Sequence, residues 1–480
     1  MFGKPSPSRR EKPLALKRTG ILLTAIVACS ALCLLILPDQ SPLAAAESDG
    51  DVVLLNDGGW CWFQDERAVV VDGRLIVGSV ASGWKEPSQK GDVVALVYDL
   101  KGNAPAARFA LHQQFLNPRG RYDDHNAPAF LPLGDGRILA VYAMHGDENR
   151  FYADTLRLSG SSLHAEESEF VPSEESRVTY SNPFLLSAEN APQGRIYNFY
   201  RGLDDSFKPS YAWSDDLGKT WTSGNVFIDV PSEFRHRPYV KYVGDGKDTV
   251  HFFYTDGHPR NFDNSIYHVF YRSGMLYKSD GSPIRSLREG LRSPEEGTKI
   301  FAGNPANVAW SSDIQLDSRG HPYAVYSVQK DAAGLPDAED GMDHRYRCAR
   351  WDGSRWLDFE IGFAGTRLYP KEGDYTGNIA LDPHNPNQVF FSANVHPESG
   401  EPLISKKDGR RHWELFRGIT EDGGSTWHFS ALTVDSVEDN LRPLVPIWKD
   451  RHRLALLWLK GEYRSYTDYR QAVMLRLLAR

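Results

Sequence analysis

One short pattern, written seven times, limits what this chain can fold into. Each copy joins two runs of alternating apolar residues through a Gly- or Asn-containing turn, the signature of an antiparallel β-hairpin. The copies fall at 65–80, 123–146, 180–202, 236–254, 312–328, 377–393 and 442–458, with starts roughly 55–75 residues apart. Each interval leaves room for two further strands. Four-stranded antiparallel sheets repeated in this way pack radially, and closing the ring hides most of their edges. The spacing therefore predicts an all-β chain folded as a seven-bladed β-propeller of four-stranded blades.

Two further segments point the same way. Ser214-Asp-Asp-Leu-Gly-Lys-Thr-Trp221 and Thr420-Glu-Asp-Gly-Gly-Ser-Thr-Trp427 share the pattern Ser/Thr-x-Asp-x-Gly-x-Thr-Trp. In this Asp-box the Asp caps the turn, the Gly permits a tight backbone and the Trp packs between sheets. It is a structural device and carries no chemistry. The polar stretches 282–299 and 331–345 read as excursions from the blades, with a helical turn in them at most. No linker divides the chain, so one domain is expected from about residue 50 to 480. The segment Gly58-Gly-Trp-Cys-Trp-Phe63 precedes the first hairpin and is placed to close the ring with the C-terminal strands.

The first 46 residues read as a secretory signal peptide. Arg9, Arg10, Lys12, Lys17 and Arg18 precede an apolar run from Gly20 to Pro38 and an Ala44-x-Ala46 site. If uncleaved, the same run would serve as a membrane anchor. The protein is thus expected to be exported, secreted or periplasmic. Cys61 and Cys348 remain in the mature chain, as one disulfide or as two separate buried thiols. A net charge of −8 and the lack of a basic tract beyond the first twenty residues argue against a nucleic-acid partner. A monomer is expected.

In a propeller, the residue before a blade's first strand and the residue after its second share one rim. That places His125 beside His145 and Tyr180 beside Arg201, with Arg237, Tyr254, Asp256, His258, Tyr375 and Arg442 as further substrate contacts. The set is rich in His, Tyr and Arg, the groups needed for β-elimination from a uronic acid. The carboxylate must be neutralised, a base must take the C5 proton, and an acid must protonate the leaving oxygen. Tyr180 is read as base and acid, Arg201 and His145 as binding the carboxylate, and His125 as orienting or sharing the proton. A glycosidase would use a carboxylate pair drawn from Asp123, Asp124 and Asp256. His344 with Cys348 could contribute to a metal site, though the spacing names no other ligands.

Gly59-Trp-Cys-Trp-Phe-Gln-Asp65, Asp-Asp-His125-Asn-Ala-Pro, Phe-Tyr-Arg201-Gly, Arg-Pro-Tyr-Val-Lys-Tyr242 and Tyr-Thr-Asp-Gly-His258-Pro resemble segments of the BNR-repeat proteins. That group includes seven-bladed ulvan lyases of polysaccharide lyase families twenty-four and twenty-five, and the resemblance covers nearly all of the mature chain. It implies two His, a Tyr and an Arg on one propeller face, matched by His125, His145, Tyr180 and Arg201, with Tyr197 or Tyr200 as alternatives to Tyr180. It implies no catalytic cofactor, and in some members a structural metal ion such as Zn or Ca. The expectation is an exported lyase acting on an anionic, ulvan-like polysaccharide. The alternatives are a sialidase-like or other glycoside hydrolase and a non-catalytic carbohydrate-binding propeller.

Overall fold

The computed structural model describes residues 50–480, apart from 103–105, 160–161, 204–206, 230–236, 331–339 and 371. The predicted signal segment and most of the 331–345 excursion lie outside the described residues. Seven antiparallel sheets follow one another along the chain. The innermost hairpins are Ala68–Val71 with Arg74–Val80, Ala129–Pro132 with Arg137–Tyr142, Thr179–Leu186 with Arg195–Gly202, and Val240–Gly244 with Thr249–Thr255. Val308–Leu316 with Pro322–Gln329, Ile379–Asp382 with Asn385–Ala393, and Asn440–Leu444 with Arg453–Ser465 complete them. They are called blades 1 to 7. Five blades have four strands; blade 2 has five and blade 4 has six. The only helical pieces among the described residues are three short 3-10 turns, one of them Pro294–Glu296 in the 282–299 excursion.

Both Asp-boxes close the turn before a blade's outermost strand. In the first, Asp216 Oδ1 accepts from the Thr220 amide at 2.8 Å, and Trp221 donates to the Gly218 carbonyl at 3.1 Å. In the second, Asp422 and Thr426 are joined at 2.9 Å, and Trp427 and Gly424 at 3.0 Å. Gly218 and Gly424 have φ of +91° and +108°, which a side chain would strain. Trp221 meets the Phe151 ring of blade 2 edge-on at 5.2 Å, so it packs between sheets.

Closure differs from the expectation in one respect. The strand that completes blade 7 is Val52–Leu55, paired antiparallel with Asp468–Ala479. The segment expected to do this, Gly58–Phe63, instead enters the central channel. Trp62 donates to the Ser311 carbonyl at 3.2 Å, the Phe63 carbonyl accepts from Asn182 at 3.1 Å, and the Trp60 carbonyl accepts from Arg442 at 2.5 Å. Lys241 meets both the Trp62 carbonyl and Asp65. This spindle touches blades 3, 4, 5 and 7, and its rings join a buried cluster with Tyr180, Tyr239, Trp310 and Tyr375. Cys61 and Cys348 are both buried and unpaired, so the open question of a disulfide resolves as two separate thiols.

Candidate active site

The His pair comes from local capping at the entrance to blade 2. Asp123 caps a 3-10 turn over Asp124–Asn126 by accepting from the His125 amide at 2.9 Å. Pro128 then forces the chain into the first strand. The Asn126 side chain accepts from the His145 amide at 2.8 Å, tying the end of the second strand to the start of the first. The two imidazoles stack at 4.1 Å with their planes 6° apart. One carboxylate, Asp123, meets both Nδ1 atoms, at 2.7 Å for His125 and 2.9 Å for His145. Each Nδ1 therefore carries its proton toward Asp123, and each Nε2 is left without a protein partner among the described residues.

The two rings carry different charge. Burial pushes His125 down, but Cys61, Tyr180 and the Asp123 and Asp124 carboxylates outweigh it and hold the ring well above the usual histidine value. Burial and the neighbouring His125 charge push His145 below it. Protonation of the pair thus favours His125 over His145. Asp124 touches the same Nδ1 at 2.8 Å and is itself anchored by Arg442 at 2.6 Å and Tyr463 at 2.8 Å.

Blade 3 supplies Tyr180 and Arg201. Tyr180 sits at an irregularity in the ladder between Thr179 and Asn182 with φ +59°, a conformation costing a residue with a Cβ roughly 1–2 kcal/mol. Its ring lies 5.3 Å from His125 and 5.6 Å from His145, and the Arg201 guanidinium is 4.6 Å from its centroid. Burial holds the Tyr180 phenol well above the usual tyrosine value, against the pull of His125. Arg201 is 5% exposed, and its Nε and Nη1 make no hydrogen bond among the described residues. A cavity of about 10 Å³ between Tyr180, Arg201 and Tyr239 has room for one water, which can meet one donor but cannot neutralise the charge.

Tyr239 belongs to this cluster and was not among the sequence candidates. Its centroid is 4.3 Å from the Arg201 guanidinium. Burial pushes its phenol up, but Arg201 and Arg237 pull harder and bring it below the usual value. The signal was available: Tyr239 precedes the first strand of blade 4 as Tyr180 opens that of blade 3. The exposed Tyr466, at the tip of the blade 7 hairpin, was also missed; its ring meets His125 and His145 edge-on at 5.1 and 5.9 Å.

The other candidates separate into three groups. Arg237 is half-buried near Arg201 and Tyr239, and His258 meets Tyr239 edge-on at 5.5 Å with Tyr375 beyond it at 6.3 Å. Arg442 is 1% exposed and committed to Asp124 and Trp60, so it supports the rim from below. Tyr254 and Asp256 are not brought to the cluster: the Tyr254 hydroxyl donates to the Pro294 carbonyl at 2.8 Å, and Asp256 accepts from Ser265 at 2.6 Å and Tyr267 at 2.9 Å. Of the alternatives to Tyr180, Tyr197 bonds Tyr271 at 2.8 Å, and Tyr200 packs against Phe151.

Three groups among the described residues have the donor chemistry of a metal site. In two of them, Asp123 with His125 and His145, and Cys61 with Asp124 and His125, the nitrogen and carboxylate atoms are already engaged with one another. The third is His258, Glu372 and Asp374, where Glu372 already carries an ion pair with Arg260. His344 and Cys348 lie four residues apart on one strand, about 13 Å at 3.3 Å per residue, too far to share an ion.

A family model described as a BNR repeat-containing family member matches residues 62–362. No curated protein gives a significant match. Among solved structures, a polysaccharide lyase described as a PL25 ulvan lyase bound to -[GlcA(1-4)Rha3S]- is similar in fold, with a TM-score of 0.63 at 14% identity. That comparison covers 90% of this chain and 96% of the other. Polysaccharide lyase Uly1 is similar with a TM-score of 0.55 at 12% identity, covering 90% and 99%.

Proposed function

Since this chain belongs to the BNR repeat-containing family, we propose that it is an exported polysaccharide lyase cleaving a uronate-containing, ulvan-like polysaccharide by β-elimination. The observation that carries the reading is Arg201, a buried guanidinium with two unbonded nitrogens beside a His pair and two tyrosines. A buried cation without a carboxylate of its own is costly, and a substrate carboxylate would supply the missing charge.

In this reading Arg201 and the charged His125 hold the uronate carboxylate, making the C5 proton acidic and the developing enolate tolerable. His145, whose Nε2 has no protein partner among the described residues, is taken here as the base in place of Tyr180. His145 takes the C5 proton as the C4–O bond breaks, and Tyr180, which keeps its own proton, gives it to the departing oxygen. The products are a new reducing end and a sugar with a C4–C5 double bond. Tyr239 fixes Arg201 and is a positioning residue. The reaction uses no cofactor, and His258, Glu372 and Asp374 offer the donors for a structural ion. The hydrolase alternative is less well supported, because Asp124 is sealed by Arg442 and Tyr463 and Asp256 by Ser265 and Tyr267.

The test is incubation with ulvan and other uronans, followed by the ultraviolet absorbance of the unsaturated product. Tyr180→Phe should lose turnover by about 10²–10⁴-fold while still binding polymer. No absorbance from any uronan between about pH 6 and 9, the range where a His–Tyr pair works, would overturn the reading.

A further inference from the structure

Away from the His pair, the same propeller face carries a second feature that the proposed chemistry does not use. Two loops at the top of blade 1, residues 81–92 and 113–122, form one surface. Lys90 Nζ donates to the Gly120 carbonyl at 2.8 Å, and the Phe115 amide to the Gly91 carbonyl at 3.0 Å. The first loop presents Trp84, 41% exposed, with Lys85 Nζ 3.8 Å above its ring. In the second, the Asn117 side chain accepts from the Arg119 and Arg121 amides at 2.9 and 3.1 Å, a turn that leaves both residues exposed.

None of Lys85, Lys90, Arg119 and Arg121 has a carboxylate partner among the described residues. The exposed carboxylate in these loops is Glu86, turned onto Ser88 at 2.8 Å, whereas Asp92 is buried and paired with Arg108 at 2.6 Å. Four cations without a carboxylate among the described residues, one of them over an exposed indole, stand out on a chain of net charge −8. The loop also leads directly to the site: Arg121 is four residues before His125, and the intervening Tyr122 ring meets Tyr469 edge-on at 5.0 Å.

We propose that this blade 1 surface is a remote subsite for an anionic polysaccharide, with Trp84 stacking on a sugar ring while Lys85, Lys90, Arg119 and Arg121 meet its carboxylate or sulfate groups. Cations interleaved with an aromatic face match a polymer of alternating flat sugar faces and negative substituents. The inference rests on the lyase reading for its consequence: the substrate runs from the His pair across blade 1, and long chains are preferred over short ones.

The experiment compares wild type with Lys85→Ala/Arg119→Ala/Arg121→Ala and with Trp84→Ala, after confirming unchanged Tm. Kinetics are measured on polymeric ulvan and on an ulvan tetrasaccharide, and binding by retention in native gels containing ulvan, with dextran as the neutral control. For the triple variant, KM on polymer should rise about tenfold at unchanged kcat, with tetrasaccharide kinetics like wild type. Its retention should also lose about two to three units of log–log salt slope, the counterion release of three cations. Trp84→Ala should weaken retention about threefold with the salt slope unchanged, because stacking releases no counterions. Unchanged polymer KM and retention, or an equal loss on the tetrasaccharide, overturns the subsite. If wild type yields no unsaturated product but the triple variant still loses retention, the lyase reading fails and the subsite stands.

Discussion

Two arginines on the rim, Arg201 in blade 3 and Arg442 in blade 7, are almost equally buried and do opposite things. Arg442 has its carboxylate, Asp124 at 2.6 Å, together with the Trp60 carbonyl and the Tyr463 ring at 4.2 Å. Among the described residues Arg201 has two tyrosine rings and no carboxylate, with Nε and Nη1 unbonded. The first closes the circuit that holds the His125 turn to blade 7. The second borders the small cavity between Tyr180 and Tyr239. A buried charge with its partner is a fastening; without one among the described residues, it is where the proposed reading seats the substrate carboxylate.

Removing each in turn is the strongest way to break that contrast. Arg442→Met strands Asp124 in the interior and should lower unfolding free energy by about 3–5 kcal/mol, read by denaturant titration. Adding Asp124→Asn should recover part of that loss. Arg201→Met should leave stability at or above wild type and reduce kcat/KM on ulvan about 10²–10³-fold. If Arg201→Met unfolds the protein while Arg442→Met only slows it, the assignments are reversed.

Two smaller effects sharpen the comparison. Tyr239→Phe removes the phenol oxygen that fixes Arg201 and should raise KM about tenfold with little change in kcat, the split expected of a positioning residue. The pH profile of kcat/KM should be bell-shaped. Its acid limb comes from protonation of His145, below the usual histidine value, and its alkaline limb from loss of the His125 proton, above it. Stability follows the same signs. The contribution of His125 is complete below pH 6.5 and is lost as pH rises through its folded value. His145 instead favours unfolding as pH falls below 6.5. A profile with one limb would show that the two rings titrate alike. Asp123→Asn, which takes away the carboxylate that raises both rings, should move both limbs to lower pH.

The ring and its sheets were legible in the sequence because hairpin alternation is local: every predicted hairpin became a blade's innermost pair. His125 and His145 were legible for the same reason, as the two ends of one hairpin. What was not legible depends on contacts between distant parts of the chain. Asp123 looked like half of a glycosidase pair until its carboxylate was found between two imidazoles. Arg442 looked like Arg201, since both are polar residues at strand ends, and only the buried Asp124 beside one of them tells them apart. Tyr254 alternates in register with rim residues, yet its hydroxyl points back to Pro294 within blade 4. The spindle was misplaced because closure needs one strand, and Val52–Leu55 had already supplied it.

That closing strand also decides how the molecule would sit on a support. Val52 pairs with Leu475 and Leu55 with Val473, so the chain climbs blade 7 toward the His pair, while the last strand descends away from it. Both ends of the propeller therefore leave from the face opposite the His pair. Coupled to a bead or fused to another domain through either end, the protein would keep its His pair turned away from the support.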